Sequence, residues 1–230
     1  MPASSARRAL LAGATGLVGH ALLPLLLDDP ACTDVHLLLR RPWKGPAHPK
    51  LHAHVVDFDH LGDLPAVDDV YCCLGTTLRA AGSQDAFRRV DATYVFELAR
   101  RARQAGASCF TVVSALGADA RSRVFYNRVK GEMEAAVASL GYPSVVIVRP
   151  SLLVGDRHAL GQPARFAERL AMRALGPLQA LLPAGVGPIE AQAVARAMQA
   201  ATHDAGPGVR SIGSAELRRL GRAAPGTAAA

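Results

Sequence analysis

A strand-length run, Arg7-Arg8-Ala9-Leu10-Leu11-Ala12, leads into three glycines spaced by two residues, Gly13, Gly16 and Gly19, and a helical stretch follows at once, LVGHALLPLLL over 17–27. A chain that passes from strand to helix within a few residues leaves little room at the turn. Glycines there let the backbone approach a neighbouring strand or a bound anion. This is the opening of a βαβ unit and argues for a parallel sheet. Pro24 removes one hydrogen bond from the first helix and predicts a kink.

The alternation continues. Val35–Leu39, His52–Val56, Asp69–Leu74, Cys109–Val113 and Val145–Val148 read as further strands. Helices are predicted over 85–105, where Phe87, Val90, Tyr94, Leu98 and Ala102 share one face, and over about 124–140. Strict alternation predicts α/β architecture: a doubly wound parallel sheet with its ligand crevice outside the carboxyl ends of the strands. Beyond residue 150 the pattern changes. Helices at about 164–181 and 189–203, and a short third one capped by Ser214, predict a small C-terminal helical cover. We expect one domain over 1–221, with a core at 7–150, a substrate cover at 151–221 and a disordered tail at 222–230.

Composition narrows the function classes. The formal charge is +7, but the 26 basic residues are spread along the chain and aromatics make up only 5%, so no nucleic-acid partner is expected. Cys32, Cys72, Cys73 and Cys109 form no CxxC pair and read as reduced core thiols. His48, His52, His54 and His60 lie close in sequence without an acidic or cysteine ligand set, so no metal site is expected. The acid pairs Asp28/Asp29 and Asp68/Asp69 read as caps or loop solvation. No apolar run approaches the roughly 20 residues of a membrane span, and the N-terminal apolar stretch is broken by glycines, unlike a signal peptide. The expectation is a cytoplasmic protein with no membrane association. A homodimer is left open.

Two groups of residues carry chemistry. At the end of the second strand, where an acid would hold the adenine-ribose hydroxyls of NAD, stand Arg40 and Arg41. Their planar forks of donors suit a 2′-phosphate, which favours NADPH; the competing reading is an ordinary arginine-rich surface. The second group is Tyr126 and Lys130. Positions i and i+4 share a helix face, so the ammonium sits beside the phenol and favours the phenolate. Such a tyrosine can give a proton to a carbonyl oxygen or take one from an alcohol. Ser114, just past the fifth strand, has a hydroxyl suited to holding that oxygen.

Several stretches together resemble one family: LLAGATGLVG, VVDFDHL, CCLGTT at 72–77, FRRVDATYV at 87–95, VVSALGAD at 112–119, YNRVKGEMEA at 126–135 and VRPSLLVGDR at 148–157. They are similar to the atypical NAD(P)-binding branch of the short-chain dehydrogenase/reductase superfamily, a Rossmann-fold group, and most of all to its Tat-interacting-protein-like oxidoreductases. The resemblance runs from about residue 8 to 157. It implies that Gly13, Thr15, Gly16, Leu17 and Gly19 cradle the cofactor diphosphate and that Arg40 and Arg41 face the adenosine phosphate. Asp57 would lie against the adenine, Leu74 and Gly75 along the middle of the cofactor, and Pro150 and Ser151 beside the nicotinamide. Ser114, Tyr126 and Lys130 would form the catalytic set, with Lys130 also holding the nicotinamide ribose.

One departure stands out: Asp91 occupies the place where many relatives keep a catalytic asparagine. The short C-terminal portion also disfavours a large nucleotide-sugar substrate. The function expected is an NADPH-dependent oxidoreductase acting on a small carbonyl or alcohol. The alternative is a non-catalytic NADPH-binding sensor or interaction protein, and a lesser one is an epimerase- or dehydratase-like enzyme.

Overall fold

The computed structural model describes residues 6–155 and 187–222. Strands β1 (Arg7–Ala12), β2 (Cys32–Leu39), β3 (Leu51–Val55), β4 (Asp69–Cys72), β5 (Cys109–Val113), β6 (Ser144–Arg149) and β9 (Gly208–Gly213) form one sheet. Its order is β3-β2-β1-β4-β5-β6-β9 and every pairing is parallel. A second small sheet pairs β7 (Leu153–Val154) with β8 (Ile189–Glu190).

The apolar runs explain why both faces of this sheet are covered. In β1 alternate side chains enter opposite cores: Ala9 and Leu11 join Val18, Leu22 and Leu26 of α1 (Leu17–Asp28), while Leu10 and Ala12 join Val95, Leu98 and Phe110. Strands buried on both sides read as continuous apolar runs because neither face meets water. Truncating a side chain such as Leu11, fully buried here, to alanine would cost roughly 2–5 kcal/mol. The second core is closed by α4 (Tyr94–Gln104) and α5 (Phe125–Ala138).

Three local expectations meet a different outcome. The helix predicted over 85–105 is divided, after α2 (Leu78–Ala81), into α3 (Gln84–Arg88), a π-helical turn (Arg89–Thr93) and α4. At that turn the Tyr94 N–H donates to the Arg89 carbonyl, five residues back, so one extra residue is accommodated and the following side chains are re-aimed. Residues 208–213 form a seventh strand, unforeseen because it starts and ends on glycine and carries no apolar alternation. Ser214 does not cap its helix. Gly213 holds the N-cap of α7 (Ser214–Gly221), and the Ser214 hydroxyl instead accepts the Ser151 N–H at 2.6 Å.

Within the stretch assigned to a cover, α6 (Ala191–His203) packs on α1 and the sheet, α7 packs on α6, and β9 extends the sheet edge. The helix expected at 164–181 and all but Arg222 of the tail expected at 222–230 lie outside the described residues.

The sheet changes direction between β1 and β4, neighbours in space although two strands separate them in sequence. A crevice forms at such a switch point, outside the carboxyl ends of the strands. The residues expected to bind cofactor or substrate follow the strands at this rim or stand on the helices beyond it: Gly13 to Gly19 after β1, Arg40 and Arg41 after β2, Asp57 after β3, Leu74 and Gly75 after β4, Ser114 after β5, Pro150 and Ser151 after β6.

Candidate functional site

The glycine turn separates packing needs from open space. Gly13 has φ +87°, and a Cβ there would stand 2.5 Å from the Cys73 carbonyl oxygen; a Cβ on Gly19 would stand 2.2 Å from the Gly13 carbonyl oxygen. Both glycines are required by the turn itself. Gly16 differs, since its Cβ would approach only the Gly13 carbonyl oxygen, at 3.4 Å. Gly16 is also the N-cap of α1, where no side chain caps the helix and no acidic residue occupies the first turn. The free amides at that end, with the helix dipole behind them, suit an anion such as a diphosphate. Leu17 begins the helix, and a Cβ on Gly155 would stand 2.9 Å from its side chain, so the strand following Pro150 and Ser151 returns to this turn.

Arg40 and Arg41 are exposed where β2 ends. Asp57 accepts the Asp59 N–H at 2.9 Å and lies 2.9 Å from His60 Nδ1, contacts that hold its carboxyl below the usual range. It borders a polar cleft of about 530 Å³ shared with His60, Asp85, Arg88 and Arg89. Leu74 is half-buried and Gly75 exposed.

Ser114 follows β5. Its N–H donates to the Val148 carbonyl at 2.8 Å, which fixes the backbone, while its hydroxyl is buried, the residue being 4% exposed, and has no hydrogen-bond partner. Among the described residues only one other buried side-chain polar atom, Arg101 Nε, shares that condition. A buried hydroxyl without a partner is costly in a finished core.

Tyr126 lies on the first turn of α5, its ring 5.4 Å from that of Phe87. Four residues on, Lys130 is 3% exposed; its ammonium is 3.5 Å from the Val113 carbonyl, next to Ser114, and 2.7 Å from Asp91 Oδ1. Burial works against the charge on Lys130, but Asp91 and then Tyr126 outweigh it and its pKa is raised. The π-helical turn delivers Asp91, itself 1% exposed, and its second oxygen accepts the Thr76 N–H at 2.8 Å. The sequence marked Asp91 only as a departure; nothing local announces a contact with a residue thirty-nine positions away.

Pro150 is buried and its carbonyl accepts the Leu116 N–H at 2.9 Å. Ser151 donates from its hydroxyl to the Gly187 carbonyl at 2.5 Å. Among the described residues no three His, Cys, Asp or Glu side chains are grouped to hold a metal ion, and no helix is long and apolar enough to cross a membrane.

A family model described as NAD(P)H-binding matches residues 13–163. The mitochondrial protein fmp52 of Emericella nidulans is 34% identical over 184 residues, covering 76% of this chain and 78% of that protein. Protein HTATIP2 of Rattus norvegicus is 38% identical over 172 residues, covering 72% and 69%. The solved structure of MoeE5 in complex with UDP-glucose and NAD aligns with 90% of this chain and 76% of its own, with a TM-score of 0.67 at 19% identity, a likeness of fold. The superfamily resemblance and the doubly wound sheet are borne out. The cytoplasmic expectation is not: fungal relatives at 30 to 34% identity are named mitochondrial. That expectation rested on the lack of a signal-peptide pattern, and such a lack carries no information about an organelle.

Proposed function

Because the chain belongs to the NAD(P)H-binding family, with fmp52 and HTATIP2 proteins among its relatives, we propose that it is an NADPH-dependent oxidoreductase acting on a small carbonyl or alcohol. The orphan hydroxyl of Ser114 carries this reading: it is a buried donor without a partner, one residue beyond the Val113 carbonyl that the Lys130 ammonium approaches at 3.5 Å.

The residues fit that cofactor. Gly16 leaves the space that a side chain would fill, the uncapped end of α1 would receive the diphosphate, and Arg40 and Arg41 would meet the 2′-phosphate. Leu17, Leu74, Gly75, Pro150 and Ser151 would border it, and Asp57 would lie toward the adenine. When bound, the nicotinamide supplies or accepts the hydride.

The chain's own residues handle the substrate oxygen. Ser114 donates to it and fixes its position, while Tyr126 delivers the proton to that oxygen as charge develops on it. In the reverse direction the same phenol takes the proton from an alcohol. Lys130 supports this exchange from one helical turn away, its charge preserved in a buried setting by Asp91.

The test is NADPH oxidation over a broad panel of aldehydes, ketones and quinones, with Ser114→Ala beside the wild type. Turnover by the wild type that falls at least tenfold in Ser114→Ala is the result expected. NADPH binding without turnover of any carbonyl would overturn the reading in favour of a dinucleotide sensor.

A further inference from the structure

Among the described residues Asp91 is the buried acid at the rim, and the donors around it dictate its residue type. Its Oδ1 meets the Lys130 ammonium at 2.7 Å and its Oδ2 meets the Thr76 N–H at 2.8 Å. Both partners are donors only, so both oxygens must accept. An asparagine side chain has a single acceptor oxygen. Its NH₂ group would face either the ammonium or the Thr76 amide, donor against donor, and one buried group would lose its partner. A carboxylate satisfies both and also supplies the counter-charge that a lysine 3% exposed requires.

The placement joins four parts of the site. The π-helical turn carries Asp91, α5 carries Lys130, β5 ends at the Val113 carbonyl 3.5 Å from the ammonium, and Thr76 belongs to the loop after β4 that also holds Leu74 and Gly75. A Cβ on Gly75 would stand 3.4 Å from Asp91 Oδ1, so that loop lies against the carboxylate. The charged or titratable groups facing Lys130 are Asp91 from the π-helical turn, Tyr126 from its own helix and Cys72 from β4. Asp91 is the acid among them placed to hydrogen-bond it.

We propose that Asp91 is a positioning residue: its carboxylate holds the Lys130 ammonium charged and aimed at the reactive rim, and through Thr76 it fastens the loop after β4 to the same point. The inference rests on the reading of Lys130 as part of the catalytic set. It differs from the role of a neutral amide at this place, because the buried ammonium then has its counter-ion inside the protein with or without a substrate.

The chain contains only three lysines, Lys44, Lys50 and Lys130, so their titration can be followed individually by NMR on full-length protein carrying ¹³Cε-lysine. In Asp91→Asn, with the counter-charge removed and burial left to act, the Lys130 midpoint should fall at least one pH unit while Lys44 and Lys50 stay in place. With a substrate in hand, the alkaline limb of kcat should move to lower pH by a similar amount. Asp91→Glu should recover part of both.

An unmoved Lys130 midpoint would overturn the inference even if the wild type turns over substrate. A fallen midpoint in a protein that turns over nothing would uphold the hold of Asp91 on the Lys130 ammonium and sink the oxidoreductase reading instead. Should Asp91→Asn fail to fold, the double variant with Lys130→Met, which buries no lone charge, should recover the fold. Failure of both to fold would count against the pair.

Discussion

Gly19 packs directly on the backbone of Gly13, so closely that a Cβ at position 19 would stand 2.2 Å from the Gly13 carbonyl oxygen, while a Cβ on Gly16 between them would meet nothing nearer than 3.4 Å. The turn therefore contains two glycines required by its own packing and one that leaves space for something else. Gly19→Ala should lose roughly 1–3 kcal/mol of stability in urea unfolding through overpacking. Gly16→Val should keep its helical circular dichroism and lose dinucleotide binding by calorimetry. Unchanged affinity in Gly16→Val would move the cofactor away from this turn.

Cofactor choice should follow Arg40 and Arg41. The wild type is expected to bind NADPH at least tenfold more tightly than NADH, a difference of about 1.4 kcal/mol. Changing both arginines to alanine should erase the preference without weakening NADH. Equal binding of the two by the wild type would refute the assignment.

Tyr126→Phe removes a proton donor and almost no volume. NADPH affinity should stay within about twofold, and turnover of a carbonyl substrate should fall by about 10² to 10⁴. Wild-type turnover in this variant would remove Tyr126 from the chemistry. Lys130→Ala, by contrast, should impair both binding and rate.

Arg149 makes a two-pronged contact with Glu134, which is buried between α5 and β6. Removing the arginine leaves that carboxylate alone. Arg149→Ala should cost roughly 2 kcal/mol in a denaturant titration, below the 3–5 kcal/mol of a fully buried pair because Arg149 is itself partly exposed. Arg149→Ala together with Glu134→Gln should recover part of the loss; equal stability of the single and double variants would refute the coupling.

Burial pushes the Cys32 and Cys109 thiols up to about 11 and Cys72 up to about 12. Thiols that titrate higher in the folded chain than in the unfolded one contribute stability below about pH 9, and that contribution is lost as pH rises through the folded values. The urea midpoint should thus decline between about pH 9 and 12, and native thiols should react slowly with a thiol reagent at pH 8. Rapid reaction of all four would contradict the burial.

The sequence by itself determines what local periodicity encodes. The glycine turn, the apolar runs of the six foreseen strands and the i, i+4 spacing of Tyr126 and Lys130 each bear their reason within a few residues, because helix and strand periods decide which side chains share a face. These features suffice for the sheet, its rim and the positions along it. The strand at 208–213 is not legible in this way, since Gly208 and Gly213 bound a short run with no alternation. It becomes a strand because the edge of β6 offers it six consecutive partners. The pairing of Asp91 with Lys130 is hidden for a related reason. It needs the strand order that brings β4 and β5 side by side, the packing of the π-helical turn against α5, and the extra residue in that turn that aims the carboxylate inward. Sequence spacing carries the faces of single elements, whereas contacts between elements come from burial of those faces against one another, and only the assembled fold decides them.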